Sequence, residues 1–384
     1  MQVYDVIVIG VGGMGSAAIQ QLAQRGQRVL GIDQFGLAHD RGSSHGRTRI
    51  IRRAYFEHPD YVPLLNRAYA LWAELERASG RMLFARCGLL LAGPPDGAVI
   101  PGLRRSATIH GVPIEPLNDD ARRQRFPVFT LPADRYDAAF EPDAGYLLVE
   151  DCVRAACEVA QRAGATFAWN HRVLGWSPEG RGIRVSTDHG TFAADSLVIC
   201  GGPWSELLLP SLPLPLTVRR KVQLWFAPRS DRHRIENGGC VFGVETDTGF
   251  YYGFPEIDTG RIKIAHHTGG QSVALADRVD RAVTDDDIAP VRRFIEAHLP
   301  DVTTDVVDSG VCMYTMTPDE HFIIDRHPDF PNVCYAAGFS GHGFKFASIV
   351  GAVLADLSID GWTRAPIGFL SAKRPALRNR PQPR

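Results

Sequence analysis

No run in this chain approaches the roughly 20 consecutive apolar residues of a membrane span, so no transmembrane anchor is expected. The seven cysteines (Cys87, Cys152, Cys157, Cys200, Cys240, Cys312, Cys334) are odd in number and scattered, with no C-x-x-C pair. That excludes a disulfide framework or a zinc site as the simple reading, and a reducing, cytoplasmic compartment is expected. Charge of one sign is also missing: 42 basic residues oppose 43 acidic ones, for a formal net charge of −1. A general electrostatic attraction for nucleic acid or an anionic membrane is therefore not expected. The apolar start lacks a basic leader region and a cleavage motif, so it does not read as a signal peptide. The final Arg-Pro-Gln-Pro-Arg is not a peroxisomal address. Internal repeats and low-complexity linkers are absent as well.

What remains is 384 residues at 45% hydrophobic and 22% charged, an ordinary globular balance long enough for two closely packed domains. The first residues read as βαβ. Val3–Ile9 is a β-branched run of the kind buried on both faces of a parallel sheet, residues 14–25 carry small and apolar side chains at helical spacing, and residues 28–33 form a second strand. Gly26 can end the helix. A helix follows through Leu64, Leu65, Tyr69, Leu71 and Leu75, then short strands broken by Gly and Pro over residues 85–145, and a helix over 149–163. Residues 196–200 read as another buried strand, and 216–270 as strand-rich with a turn at Asp258-Thr259-Gly260. The last third returns to a strand, a Gly-rich loop and a small-residue helix from about Ala347. This alternation predicts an α/β fold. Its Rossmann-type nucleotide domain is discontinuous, over residues 1–85, 145–215 and 310–384. A second, β-rich substrate domain on an antiparallel sheet takes 86–144 and 216–309.

Gly10-Val11-Gly12-Gly13-Met14-Gly15 is G-x-G-x-x-G between a strand and a helix. Gly10 permits the tight turn, Gly12 lets the backbone approach a pyrophosphate, and Gly15 allows close helix–strand packing. The helix N-terminus offers amide donors and positive dipole to phosphates. Asp33 ends the second strand about 20 residues on, where a carboxylate can accept from a ribose. The motif does not separate NAD from FAD, but Asp33 argues against the 2′-phosphate of NADP.

More segments narrow the reading. They are Gly42-Ser43-Ser44-His45-Gly46-Arg47-Thr48-Arg49-Ile50-Ile51-Arg52, Tyr251-Tyr252-Gly253-Phe254-Pro255, Val311-Cys312-Met313-Tyr314, Asp319-Glu320-His321-Phe322-Ile323-Ile324-Asp325 and Gly338-Phe339-Ser340-Gly341-His342-Gly343-Phe344-Lys345. In this order, from residue 3 to about Leu377, the chain resembles the monomeric sarcosine oxidase and N-methyltryptophan oxidase family. The resemblance implies an FAD enzyme that oxidises secondary amino acids, monomeric, with its flavin bound covalently to a cysteine.

Residue by residue, the resemblance assigns the thioether to Cys312. On pattern alone Cys312 is as well read as a buried structural thiol, in a strand that points Cys312 and Tyr314 to one face. Lys263 alternates with Ile262 and Ile264 and on pattern alone suits a solvated strand position. The resemblance sets it over the flavin, where a fixed cation stabilises charge developing on O₂. His267 shares its face and matches an auxiliary active-site histidine. Arg52 and Lys345 match the pair that holds the substrate carboxylate, for which an arginine fork suits two parallel bonds. Arg49 matches a residue near the flavin ring and lies on the side of Arg52 if this stretch is helical. Ser43 and Thr48 fall in the same segment and are expected at the cofactor, with Tyr252 and Tyr314 walling the site. Gly341, Gly343 and Phe344 belong to a loop whose amides can face the flavin. Gly201 resembles the second dinucleotide contact, and Val173 is expected at the adenosine. No metal is expected.

The chain departs from its relatives at two places. Ser44-His45 stands where sarcosine oxidases carry His-His. Gly243 falls where they have a bulky methionine lining the substrate cavity, so a larger pocket and a substrate larger than sarcosine, such as an N-methyl aromatic amino acid, are expected. The expected reaction gives an imine that hydrolyses, with O₂ reduced to hydrogen peroxide. The alternatives are a sarcosine or cyclic imino acid (pipecolate-type) oxidase, a flavin dehydrogenase with another acceptor, an NAD-dependent dehydrogenase, and a non-catalytic nucleotide-binding module.

Overall fold

The computed structural model describes residues 3–378; the Arg-Pro-Gln-Pro-Arg terminus lies outside them. Val3–Ile9 sits at the centre of a parallel layer, between Val29–Asp33 and Gly190–Ile199. Thr166–Trp169 extends the layer on one side and Val333–Ala337 on the other, also parallel. The antiparallel strands Val173–Glu179, Gly182–Thr187 and Ile323–Arg326 complete eight strands. Ile7, Val8, Leu197, Val198 and Val333 are almost wholly buried, as strands covered on both faces require. The first helix, Gly13–Gln24, leaves this layer directly at the glycine motif, and Gly26 follows its end at φ +81°. It lies against the helix Ala347–Ile359 so closely that a Cβ on Gly351 would come within 2.5 Å of the Ala17 backbone.

The second layer is a nine-stranded sheet. Its strands run Gln271–Val273, Thr217–Pro228, Ile262–His266, Gly249–Gly253, Val241–Thr246, Leu89–Gly93, Asp137–Glu141, Glu115–Leu117, with Val302–Met316 also on Thr217–Pro228. The expected antiparallel pattern holds except between Leu89–Gly93 and Val241–Thr246, which run parallel. The helix Asp285–His298 covers one face, where Phe294 stacks on Tyr251 at 4.5 Å. Strand Val302–Met316 crosses the expected boundary at 309/310 without a break and carries Cys312 and Tyr314 from the large sheet to the nucleotide layer.

One local expectation fails. Residues 48–51 are not helical: Thr48–Ile51 pairs antiparallel with Gly145–Leu148, which in turn pairs with Phe84–Arg86. The β-branched Thr48, Ile50 and Ile51 favour a pleated strand. Arg52 then lies just past the strand end rather than one helical turn from Arg49.

Gly15 has no room for a side chain, since a Cβ there would sit 1.7 Å from the Gly10 carbonyl oxygen. Gly15→Ala is expected to cost about 1–3 kcal/mol as the helix is pushed off its strand. Thermal denaturation of the variant checks this, and an unchanged melting temperature would mean the contact relaxes freely.

Candidate active site

A cavity of about 530 Å³ is lined from both layers. That volume is in the range of small-molecule and cofactor sites. One end is floored by Gly10, Gly12 and Asp33 and rimmed by Val173 and Gly201; the other is lined by Arg49, Arg52, Tyr252, His267, Tyr314 and Lys345. Ser43, Gly341, Gly343 and Phe344 also line it.

At the first end Gly10 adopts φ +86° and a Cβ there would come within 2.3 Å of the Cys200 carbonyl oxygen. Only glycine permits both the turn and the approach of the next strand. Asp33 accepts the Val11 amide at 2.7 Å and the Phe35 amide at 2.9 Å. A carboxylate has about four acceptor positions, so Asp33 ties the glycine loop to the second strand and keeps capacity for a hydroxyl pair.

At the other end several buried cations converge. Arg49 donates to the carbonyls of Thr48 and Ser43, both at 2.8 Å, and approaches the Cys312 sulfur at 3.5 Å. Lys263 lies just behind the lining and donates to the carbonyls of Gly46 at 2.7 Å and Thr48 at 3.2 Å. Its surroundings correct the solvated-strand alternative: Lys263 is only 3% exposed. Lys345 donates to the His342 carbonyl at 2.7 Å. His267 Nδ1 meets the Tyr314 hydroxyl at 3.3 Å.

Chain-wide comparison with known proteins agrees with this arrangement. A family model described as FAD dependent oxidoreductase matches residues 5–357. The chain belongs to that family. Among its relatives, the oxidoreductase is 42% identical over 376 residues to a monomeric sarcosine oxidase of Streptomyces avermitilis, with 97% of each chain covered. It is 40% identical over 373 residues to an N-methyl-L-tryptophan oxidase of Yersinia pestis, covering 97% of this chain and 99% of that one. The solved structure of NikD, an unusual amino acid oxidase essential for nikkomycin biosynthesis, superposes with a TM-score of 0.85 at 25% identity, covering 97% and 98%.

The residues of this oxidoreductase fit FAD at both ends. The glycine loop lines the cavity with bare backbone, since Gly10 and Gly15 leave no room for a Cβ, as a pyrophosphate cradle requires, and Cys312 sits where a thiolate is favoured. Burial pushes the Cys312 thiol up, but the neighbouring His45 and the charges of Arg49 and Lys263 outweigh it and bring it down to about 6. The remaining cysteines with a resolved shift, such as Cys200 and Cys334, are all pushed up by burial. No disulfide joins any of the seven.

Other sequence expectations need correction. Arg52 does not present a free fork: its Nη2 is held by both oxygens of Glu57, at 2.7 and 2.6 Å, and its Nη1 by the Ala54 carbonyl. Gly243 does not enlarge the cavity. The space its side chain would occupy is taken by the Phe250 ring at 2.4 Å and by Leu91 at 2.8 Å, both of which line the cavity themselves. Thr48 offers its carbonyl, not its hydroxyl, which is buried without a partner among the described residues. Ser44, at the departure from His-His, accepts the Gly13 amide at 3.0 Å and so supports the glycine loop.

Glu57, His342, Phe250 and Lys221 were not anticipated. Burial raises the Glu57 carboxyl, yet Arg52, His342 and Lys345 together bring it down to about 2. Its acid five residues after Arg52 was the available signal. Lys221 donates to the carbonyls of His267 and Thr268 at 2.9 Å, fixing the loop that carries His267. It faces Cys312 directly across the strand pair, a register that no local pattern predicts.

Burial, with Arg52 adding like-charge repulsion against Glu57, pulls the Lys345 ammonium down to about 7. Its folded pKa lies below the unfolded one, so between these values the unfolded chain holds more protons and this group makes stability rise with pH. Binding of a carboxylate should do the opposite. The affinity of the holoenzyme for an aromatic carboxylate is expected to weaken as pH rises through about 7, with the inflection lost in Lys345→Met. Absorbance titrations across pH check this. An inflection unchanged in the variant would assign the carboxylate to another cation.

Proposed function

We propose that this protein is a flavin-dependent oxidase of N-methyl or cyclic secondary amino acids that reduces O₂ to hydrogen peroxide. The observation that carries this reading is the meeting of two buried cations, Arg52 and Lys345, with aromatic walls in one cavity, and beside it a thiol whose pKa is brought down to about 6. The two relatives named above support the substrate class. FAD, when bound, accepts two electrons and a proton equivalent from the carbon–nitrogen bond and passes the electrons to oxygen. Cys312, as thiolate, supplies the covalent attachment. The glycine loop, Asp33, Val173 and Gly201 take the adenosine and pyrophosphate, while Ser43, Gly341, Gly343 and Phe344 border the path between.

The side chains bind and orient the substrate. Its carboxylate docks between Lys345 and Arg52, competing with Glu57 for the guanidinium. Bound cations beside the amine favour its neutral form, whose lone pair the reaction needs. Burial, then Lys221, hold His267 down at about 3, so it adds no further charge. Tyr252 and Tyr314 are raised by burial and stay neutral phenols that wall the site. The imine product hydrolyses to formaldehyde and the demethylated amino acid from N-methyl substrates. The Lys263 and Arg49 cations stabilise the charge that develops on oxygen. The seven unpaired cysteines favour a cytoplasmic location, and the resemblance favours a monomer that needs no other subunit. The nucleotide domain is assigned residues 1–85, 145–215 and 310–384 and the substrate domain 86–144 and 216–309, with the long strand Val302–Met316 shared between them.

The substrate's side chain is placed against Phe56, Phe250 and Leu91, whose rings and branches suit an aromatic or other apolar group through edge-to-face contact. The filling of the Gly243 space by Phe250 and Leu91 favours a second reading, a small substrate of the sarcosine kind.

Ratios of kcat/KM for N-methyltryptophan, pipecolate and sarcosine decide between them. Phe250→Ala is expected to move the ratio toward the larger substrate by about 10-fold or more, the worth of a few methylenes in an apolar pocket. Peroxide formed mole for mole with oxygen consumed supports the oxidase, and a silent oxygen electrode with a reduced artificial dye would make it a dehydrogenase. After acid denaturation the yellow chromophore should stay with the wild-type chain and leave the Cys312→Ser chain.

A further inference from the structure

Lys263, buried, and Arg49, half-buried, share the Thr48 carbonyl as acceptor, and the backbone that holds them is itself strained. Gly46 lies at φ +88°, where a Cβ would run into the Gln223 side chain, and the next residue, Arg47, sits at φ +71°. A left-handed arginine is strained and persists only where its surroundings compel it. What compels it is Glu150, in the first turn of the helix Val149–Arg162. One carboxylate oxygen accepts the Gly46 amide at 2.7 Å and both approach the Arg47 amide, at 3.2 and 3.1 Å. The Arg47 carbonyl in turn accepts the Val149 amide at 2.9 Å, so the turn and the helix start lock together. The far side of the same turn presents the Gly46 and Thr48 carbonyls that grip the Lys263 ammonium.

We infer that Glu150 is a positioning residue for the oxygen half of the reaction, clamping the 46–48 turn so that its carbonyls hold Lys263 at the site. It does so without lining the cavity, one backbone turn behind the lysine. Its negative charge also offsets the cations it backs. Burial, then Arg49, push the Lys263 ammonium well below its ordinary value, and Cys312 and Glu150 are the charges that oppose them. Glu150 likewise favours the charged form of Arg49. A merely structural helix-start carboxylate would point at its own helix amides, whereas this one is spent on amides more than one hundred positions earlier in the chain.

This inference rests on the oxygen role proposed for Lys263, and the test separates the two. Glu150→Gln keeps the size and one acceptor but removes the charge. In the holoenzyme its reoxidation by O₂, after reduction with dithionite, should slow between about 10- and 100-fold, the range typical when an outer group holding a functional side chain is removed. Anaerobic reduction by substrate should be unchanged, since Arg52 and Lys345 are not held by this turn. Hydrogen exchange at the Gly46 and Arg47 amides should quicken, a readout independent of turnover. In a Lys263→Met background, Glu150→Gln should slow reoxidation no further. Wild-type reoxidation in Glu150→Gln, equal losses in both half-reactions, or unchanged exchange at those amides would overturn the inference while leaving the oxidase reading intact. Normal reoxidation in Lys263→Met alone would remove the oxygen role of the lysine and this inference with it. If the Gln variant fails to retain cofactor, Glu150→Asp, one methylene short of spanning both amides, should show the same split with smaller amplitude. Wild-type reoxidation there overturns it equally.

Discussion

Burying several positive charges in one place is the constraint around which this site is built. Arg49, Arg52, Lys263 and Lys345 converge within a cavity wall where water is scarce, and each would be neutralised or expelled without compensation. Compensation comes in two forms. Carbonyls of Ser43, Gly46, Thr48 and His342 satisfy the donors, and a few anions, Glu57, Glu150 and the Cys312 thiolate, balance the charge. The backbone must therefore turn its carbonyls inward, which explains the left-handed Arg47 and the requirement for glycine at 46.

The same electrostatics make one cysteine different from the rest. Cys312 is as buried as Cys334, and burial alone would leave it as inert as Cys334 or the half-buried Cys200. Proximity to Arg49, Lys263 and His45 reverses the sign of the shift at Cys312. The lowered Cys312 thiol and the cationic pocket beside it are thus one arrangement, and neither can be tuned without moving the other.

Much of this was legible in the chain. The glycine fingerprint with Asp33 announced its strand, turn and helix because those glycines answer local steric demands. The β-branched run of Val3–Ile9 announced a strand buried on both faces. The motifs around Cys312, Lys263 and Lys345 indicated their positions only through resemblance, since alternation by itself made Lys263 a surface residue. What stayed hidden depends on contacts between distant segments. The strand at Thr48–Ile51 exists because Gly145–Leu148 pairs with it. The volume freed at Gly243 is reclaimed by Phe250, a neighbour across the strand pair, so a deletion read in one dimension is refilled in three. Glu57 and Glu150 gain their meaning from partners that no spacing rule connects.

The chain's lysines number four, against a large excess of arginine: Lys221, Lys263, Lys345 and Lys373. The first three are buried around the site and Lys373 alone is exposed. Guanidinium, which holds its proton whatever its surroundings, has taken over the solvated positive positions, and the titratable ammonium is kept for the interior. An amine-seeking reagent thus meets one lysine side chain on the outer surface, so coupling through it would orient every molecule alike on a support.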